Sequence, residues 1–218
     1  MLVADAAASA AAEDAVVPLY VGVGFAWEDE ERAMARRLFA APPLAGRVEP
    51  MVELRFDMRD VFPSSHWAVR GEPPAFDTPD EDVYLDGRNV ILLSKAAVYL
   101  ATAFGRRAAA AHWRMLLGTL AGNPFPDATP SFFAATARAL SLGLEHPIAI
   151  EAPFAALHKP AVIRRGIELG VPLELTLSCM QPEDGLHCGR CSKCRERRDA
   201  FIEAGVADPT PYRQPPLR

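Results

Sequence analysis

Apolar and amphipathic segments alternate along most of the chain. The run Val16–Val23 is continuously apolar and rich in β-branched residues, which is typical of a parallel strand covered on both faces. Asn89–Phe104 instead repeats apolar residues at helical spacing, as at Leu93, Ala97 and Leu100. The same patterns predict further helices at Met1–Ala12, Glu28–Leu38, Ser131–Leu142 and Lys159–Leu169, and strands at Val48–Phe56, in the second half of Ala109–Leu117 and at Pro147–Glu151.

This alternation of strands and helices predicts the fold class. We expect an α/β protein with a parallel sheet that carries helices on both faces and binds ligands beyond the carboxyl ends of its strands. Residues 57–87 interrupt the pattern, because they are rich in Pro, Asp and Gly and too long for a simple connection. Such loops are usually functional lids or insertions. We predict an α/β domain over residues 1–178 and a metal-binding segment over residues 179–218.

Composition limits the class of protein and its partners. Of 218 residues, 50 % are hydrophobic and 23 % charged, which indicates a folded globular chain. The net charge of −5 is opposite in sign to that of most nucleic-acid-binding proteins, so we do not expect nucleic acid as a partner. Apolar runs fall short of a membrane span, and the first 15 residues lack the basic start of a signal peptide. We predict a cytoplasmic protein without a membrane partner, and homodimerisation stays open.

Four cysteines are concentrated in the segment SCMQPEDGLHCGRCSKC, spaced C-x8-C-x2-C-x2-C. Two overlapping C-x2-C steps let thiolates converge on one ion, and four sulfurs at about 2.3 Å complete the tetrahedral shell of zinc. No position is then left for a substrate, so the predicted zinc is structural and its binding energy contributes to folding. Free core cysteines, disulfides and ligation by His187 are the alternatives. The predicted ligands are Cys179, Cys188, Cys191 and Cys194.

A cluster of basic residues overlaps the cysteine segment. We interpret it as a solvated face that also offsets the thiolate charge, and contact with RNA is the alternative. Its members are Arg190, Lys193, Arg195, Arg197 and Arg198.

The chain resembles the 7-cyano-7-deazaguanine synthases, most specifically in its C-terminal third; these enzymes are ATP pyrophosphatases of the PP-loop type. The similarity is carried by EAPFAALHKPAVIRRGIELGVPLELTLSC and HCGRCSKCRERRDAFIEAGVADPTPY, with GRN at Gly87–Asn89 and PDATPSFF at Pro126–Phe133. It extends over roughly residues 16–212 and implies a Rossmann-like fold of the adenine nucleotide alpha hydrolase type. It also implies ATP and magnesium, with 7-carboxy-7-deazaguanine and ammonia as the other substrates. The carboxylate would be adenylated, attacked by ammonia to give an amide, and activated again for dehydration to the nitrile.

The resemblance further implies roles for four residues. Arg88 and Asn89 would lie near the nucleotide, and Lys159 would be the catalytic lysine that neutralises phosphate charge. Asp127 would face the deazaguanine substrate. Three of them have a structural alternative: Arg88 as a loop cap, Lys159 as a solvated lysine at a helix start, and Asp127 as an ordinary turn and cap residue.

The chain departs from the family pattern in two places. Thr129 stands where the family has an arginine suited to an anionic substrate, so a different carboxylate is an alternative substrate. The family's Ser-Gly-Gly-x-Asp-Ser loop, whose N–H groups hold pyrophosphate, is not among the 218 residues, and the glycines of Gly22–Trp27 follow a different strand. Met1 aligns with the helix after that loop. We therefore expect the protein to start upstream or another chain to supply the missing strand.

Three functions follow from these patterns. The first is a ligase that forms a nitrile on a deazapurine carboxylate. The second is a PP-loop enzyme that modifies tRNA, and the third is a non-catalytic, zinc-stabilised member of the family, which the missing loop favours.

Overall fold

The computed structural model describes residues 1–105 and 113–216, which form two compact units. The first consists mainly of Val3–Pro79 and Lys159–Arg218, so it contains the cysteine segment, and the second mainly of Asp80–His158. In chain order the elements are α1 (Leu2–Ser9), β1 (Leu19–Gly22), α2 (Glu28–Ala40), β2 (Val52–Arg55), α3 (Trp67–Arg70), α4 (Arg88–Ala103), β3 (Trp113–Leu116), α5 (Pro130–Leu144), β4 (Ile148–Glu151), α6 (Lys159–Glu168) and α7 (Ser192–Ala204).

The strands of the described ranges pair in parallel. In the first unit β1 lies beside β2, with Leu19 opposite Val52, and in the second unit β3 lies beside β4, with Trp113 opposite Ile148. The predicted α/β class with parallel strands is confirmed, and the strands are arranged as two two-stranded sheets within the described residues. Of the ambiguous segment Ala109–Leu117, the predicted strand is confirmed as β3, and residues 109–112 lie outside the described ranges.

Prolines make both strands of the first unit shorter than the sequence predicts. β1 was expected from Val16 but begins after Pro18, whose carbonyl still accepts from Val52 N at 2.9 Å. β2 was expected from Val48 but begins after Pro50. A proline has no N–H to donate to a ladder, so regular pairing starts only beyond it.

The core of the first unit lies around α6 and α7. Ile163 of α6 and Phe201 of α7 are 7 % and 2 % exposed and share a cluster with Leu44 and Leu173. Ala4 of α1 belongs to the same cluster, and Asp5 forms an ion pair with Arg165 at 2.8 Å. α1 ends at Ser9 rather than Ala12, since Ala10 is already extended.

The second unit is built by α4 and α5 around β3 and β4. α5 packs against β4 and against α4. Thr129 is the N-cap of α5, where its hydroxyl accepts from Phe132 N at 3.2 Å, and Pro130 occupies the first helical position. This is the preferred chemistry of a helix start, and it places the start of α5 one residue before the predicted Ser131.

The long connection 57–87 contains little regular structure. It holds the single turn α3 and a 3₁₀ turn at Asp80–Val83. Among the described residues, no helix combines the length and apolar character required to cross a bilayer.

Candidate functional site

The four cysteines come from two short loops and the start of one helix. Cys179 follows the 3₁₀ turn Leu173–Leu175, and Cys188 follows a tight turn closed by the bridge between Glu183 and Leu186. Cys191 is the N-cap of α7 and Cys194 lies in its first turn. All four are at most 3 % exposed, so the cysteine cluster (Cys179, Cys188, Cys191 and Cys194) is sealed from solvent.

The distances within the cysteine cluster match a tetrahedral metal shell. Its sulfurs all lie within 4.8 Å of one another, with Sγ–Sγ distances of 4.0 Å for Cys179–Cys191, 3.9 Å for Cys188–Cys194 and 3.5 Å for Cys191–Cys194. Four thiolates around zinc at about 2.3 Å would be about 3.8 Å apart. A disulfide requires about 2.05 Å. The donor set and its spacing therefore fit a structural zinc without rearrangement.

Backbone N–H groups point at two of the sulfurs. Gln181 N and Cys188 N donate to Cys179 Sγ at 3.3 and 3.2 Å, and Arg190 N donates to Cys188 Sγ at 3.3 Å. Hydrogen bonds to a thiolate stabilise its charge. Contacts among the sulfurs lower the pKa of Cys188, bring that of Cys191 to about 7, and raise the pKa values of Cys179 and Cys194. The backbone N–H groups thus favour the thiolate form, which binds metal, at Cys179 and Cys188.

His187 lies next to the cysteine cluster but outside the group of potential ligands. Its ring is fully buried, and burial lowers its pKa to about 4, so the ring is neutral. Nε2 lies 3.2 Å from the Thr176 carbonyl oxygen, which only accepts, so Nε2 carries the proton. The ring also packs edge-on against Tyr212. The alternative of His187 as a ligand is not supported by this geometry.

The chain after α7 folds back over the cysteine loops. His187 N donates to Pro211 O at 2.9 Å, and Arg213 N donates to His187 O at 2.7 Å. Gly189 is in the left-handed region, and a Cβ there would lie 2.0 Å from the backbone oxygen of Gln214. We call residues 206–216 the tail. Its close approach requires a glycine at position 189.

Three of the basic residues pack inward, so the predicted solvated face is wrong for them. Arg197 donates to Thr210 Oγ1 at 2.5 Å and to Leu173 O at 2.9 Å. Arg195 donates to Thr78 O at 3.2 Å, and the Arg198 guanidinium lies 5.3 Å from the Phe76 ring centroid. These side chains connect α7 to Thr210 of the tail and to Phe76 and Thr78 of the long connection 57–87.

Lys159, the predicted catalytic lysine, is the first residue of α6. Its ammonium group forms an ion pair with Glu196 Oε2 on α7, and Lys193 binds the other oxygen of the same carboxylate at 2.6 Å. The Lys159 side chain is 42 % exposed, whereas that of Glu196 is 13 % exposed. A mostly buried carboxylate thus holds two lysines that are 34 positions apart in sequence.

Asn89 and Asp127 of the second unit are both buried and bind each other. Asn89 N donates to Asp127 Oδ2 at 3.1 Å, and Asn89 Nδ2 donates to Asp127 Oδ1 at 3.2 Å and to Asp127 O at 3.1 Å. Asn89 is the second residue of α4, so the carboxylate satisfies one of the N–H groups that a helix start leaves without a partner. Each residue is 5 % exposed, which favours the structural alternative for Asp127 over direct substrate contact.

Arg88 is less enclosed than its neighbours. Its guanidinium lies 3.4 Å from Asn89 Oδ1, and it borders a cavity of about 20 Å³ with Tyr84, Phe125 and Asp127. The pair of Asn89 and Asp127 therefore fixes the helix start from which Arg88 projects.

Comparison with known proteins identifies the family. The model of the family described as queuosine biosynthesis protein QueC matches residues 72–205, more than half of the chain. This chain belongs to the QueC family. The matched range contains every residue to which the sequence assigned a role, from Arg88 to Cys194.

Curated relatives of this QueC family member carry the name 7-cyano-7-deazaguanine synthase. That of Anaeromyxobacter dehalogenans is 36 % identical over 189 residues, which cover 84 % of this chain and 79 % of the relative. That of Azoarcus sp. is 41 % identical over 59 % of this chain and 57 % of the relative. The protein of Methanopyrus kandleri is 47 % identical over 40 % of each.

Sequence reasoning missed one residue of this QueC family member. Glu196 was not singled out, although a glutamate three positions after a lysine, as Glu196 is after Lys193, forms an ion pair when the segment is helical. Its contact with Lys159 joins residues that are 37 positions apart, and the spacing of residues within one segment cannot predict such a contact.

Proposed function

We propose that this chain converts 7-carboxy-7-deazaguanine and ammonia to 7-cyano-7-deazaguanine with ATP. Family membership carries the proposal, because the match to the queuosine biosynthesis family spans all the residues that we assign to the reaction. The curated relatives carry the name of this activity, at up to 84 % coverage of the chain. Since thiolates stay reduced in the cytosol, we place the reaction there.

The chemistry is two successive activations of one carbon. The substrate carboxylate attacks the α-phosphorus of ATP and pyrophosphate leaves; ammonia then displaces AMP from the acyl carbon to give the amide. The amide oxygen attacks the α-phosphorus of a second ATP, with loss of pyrophosphate and one amide proton; loss of AMP and the second amide proton then yields the nitrile. Each step converts a poor leaving group into AMP, so the protein acts by positioning and charge stabilisation.

In this proposal each residue has a role set by its surroundings. Lys159 donates to phosphate oxygens from the start of α6, where the helix end is itself positive. Arg88 offers a second cation toward the nucleotide from the start of α4, fixed by Asn89 and Asp127. Magnesium would supply charge neutralisation at the phosphates. The cysteine cluster would hold zinc that does not enter the reaction.

The first prediction tests the activity itself. Protein translated from the complete natural reading frame is incubated with 7-carboxy-7-deazaguanine, ammonium and magnesium-ATP, and the products are followed by mass spectrometry. We expect the nitrile, with AMP and pyrophosphate. Lys159→Ala should slow turnover by about ten- to over a hundredfold, since a charge-assisted contact contributes about 1.5–3 kcal/mol.

Two results would contradict the proposal. Folded, zinc-loaded protein without ATP turnover would indicate a non-catalytic family member. RNA that co-purifies and is modified in an ATP-dependent way would indicate the tRNA-modifying class instead. Wild-type turnover in Lys159→Ala would remove this lysine from the mechanism and leave the activity standing.

A further inference from the structure

The carboxylate of Glu196 lies between two lysines at the starts of two helices. Its Oε2 pairs with Lys159, the first residue of α6, and its Oε1 pairs with Lys193, the second residue of α7, at 2.6 Å. α6 and α7 pack against each other in the core of the first unit. The three charged groups therefore sit on one rigid pair of helices.

This arrangement is unfavourable for lysines with a purely structural role. The amino end of a helix carries partial positive charge, so lysines are stabilising at the opposite end. Here two ammonium groups are at two helix starts, and the Glu196 carboxylate binds both of them. A helix start also suits an anion such as phosphate, and the 42 % exposed side chain of Lys159 is accessible to one.

We infer that Glu196 is a positioning residue, which holds Lys159 where its ammonium group meets the phosphates of ATP. A lysine side chain has four rotatable bonds, and a free one would lose that freedom on binding. Glu196 is 13 % exposed and restrains the ammonium group before the nucleotide arrives. This inference rests on the proposed function, because it takes ATP as the ligand of Lys159.

The cysteine cluster fixes the helix that carries Glu196. Cys191 caps α7 and Cys194 lies in its first turn, two residues before Glu196. Arg195 and Arg197, which flank Glu196 in sequence, bind Thr78 O and Leu173 O. The position of the carboxylate is thus set from both sides, and the metal site and the lysine are linked through it.

The test measures affinity for magnesium-ATP by calorimetry, in protein from the complete reading frame. Glu196→Gln keeps the size of the side chain and removes its charge. Glu203→Gln makes the same change at an exposed position of α7 and is the matched control. We expect about tenfold weaker binding in Glu196→Gln, equivalent to about 1.4 kcal/mol, and wild-type binding in the control, with zinc content and melting temperature unchanged in both.

The sign of the effect separates positioning from repulsion. If the Glu196 carboxylate only repelled the phosphates of ATP, removing its charge would strengthen ATP binding. Equal or tighter ATP binding by Glu196→Gln therefore overturns the inference. Glu196→Asp keeps the charge on a shorter side chain, and it replaces the first variant in the test if Glu196→Gln fails to fold. It should bind less tightly than wild type, and wild-type affinity in this variant also counts against the inference.

A double-mutant cycle then tests whether Glu196 acts through Lys159. In a Lys159→Ala background, Glu196→Gln should have almost no further effect on affinity. A full tenfold loss in that background would show that Glu196 acts elsewhere and would overturn the inference. Absence of ATP binding by the wild-type protein would refute the proposed function and the inference together, and this outcome is distinct from equal binding by wild type and Glu196→Gln.

Discussion

Asp127 has the chemistry of a substrate contact and the surroundings of a structural residue. Both of its carboxylate oxygens accept from Asn89, at 3.1 and 3.2 Å, and its side chain is buried. The sequence resemblance reports only that an aspartate occurs here. The structure adds that this aspartate completes the start of α4, the helix from which Arg88 projects.

Removal of Asp127 should therefore reduce stability more than it affects substrate affinity. Asp127→Ala leaves the N–H and the amide of Asn89 buried without their acceptor, which costs about 1–3 kcal/mol. Urea unfolding measures the loss. Asp86→Ala removes an exposed aspartate two residues before α4 and should leave stability unchanged. If Asp127→Ala is as stable as wild type and has a raised KM for the deazapurine, Asp127 contacts the substrate and our structural assignment is wrong.

At the scale of elements, local chemistry explains what the sequence predicts well. The helices α4, α5 and α6 begin within one residue of the predicted positions, because apolar spacing and capping residues act within a few positions. The cysteine spacing likewise predicted the cluster of sulfurs. Pro18 and Pro50 delay the strands β1 and β2, and their missing N–H groups were visible in the sequence.

Contacts between distant segments explain what the sequence did not predict. The ion pair of Lys159 with Glu196 joins two helices, and the inward contacts of Arg195 and Arg197 reach Thr78 and Thr210. A run of arginines looks solvated in sequence because its partners are elsewhere in the chain. Only the packing of α7 shows where they are.

The tail offers a test of one such contact. Gly189→Ala would place a Cβ 2.0 Å from Gln214 O, so the tail must move away from the cysteine loops. Gly205→Ala is the matched control, since Gly205 has φ of 72° against 75° for Gly189 and nothing within 4 Å of its added Cβ. Both variants pay the left-handed strain of about 1–2 kcal/mol.

We expect Gly189→Ala to lose at least about 1 kcal/mol more than its control, as an overpacked site does. Thermal melts followed by circular dichroism measure the difference. Equal losses in the two variants would mean that the tail does not rest on Gly189.

At the scale of the whole molecule, the cysteine segment connects early and late parts of the first unit. Gly185 N donates to Glu30 Oε2 on α2 at 2.9 Å, and Arg195 of α7 binds Thr78 O. The same helix carries Glu196 and, through it, holds Lys159. Metal bound by the cysteine cluster would therefore stabilise the unit and fix the proposed phosphate-binding lysine.

Zinc content, measured together with the number of reactive thiols in the native protein, tests this account most directly. The account predicts one zinc per chain and four thiols that stay unreactive until the zinc is removed by a chelator or the protein is unfolded. It also predicts a large loss of stability in Cys191→Ser, because one missing thiolate opens the tetrahedral shell. Well under half an equivalent of zinc, with all four thiols titrating freely in the folded state, would contradict it.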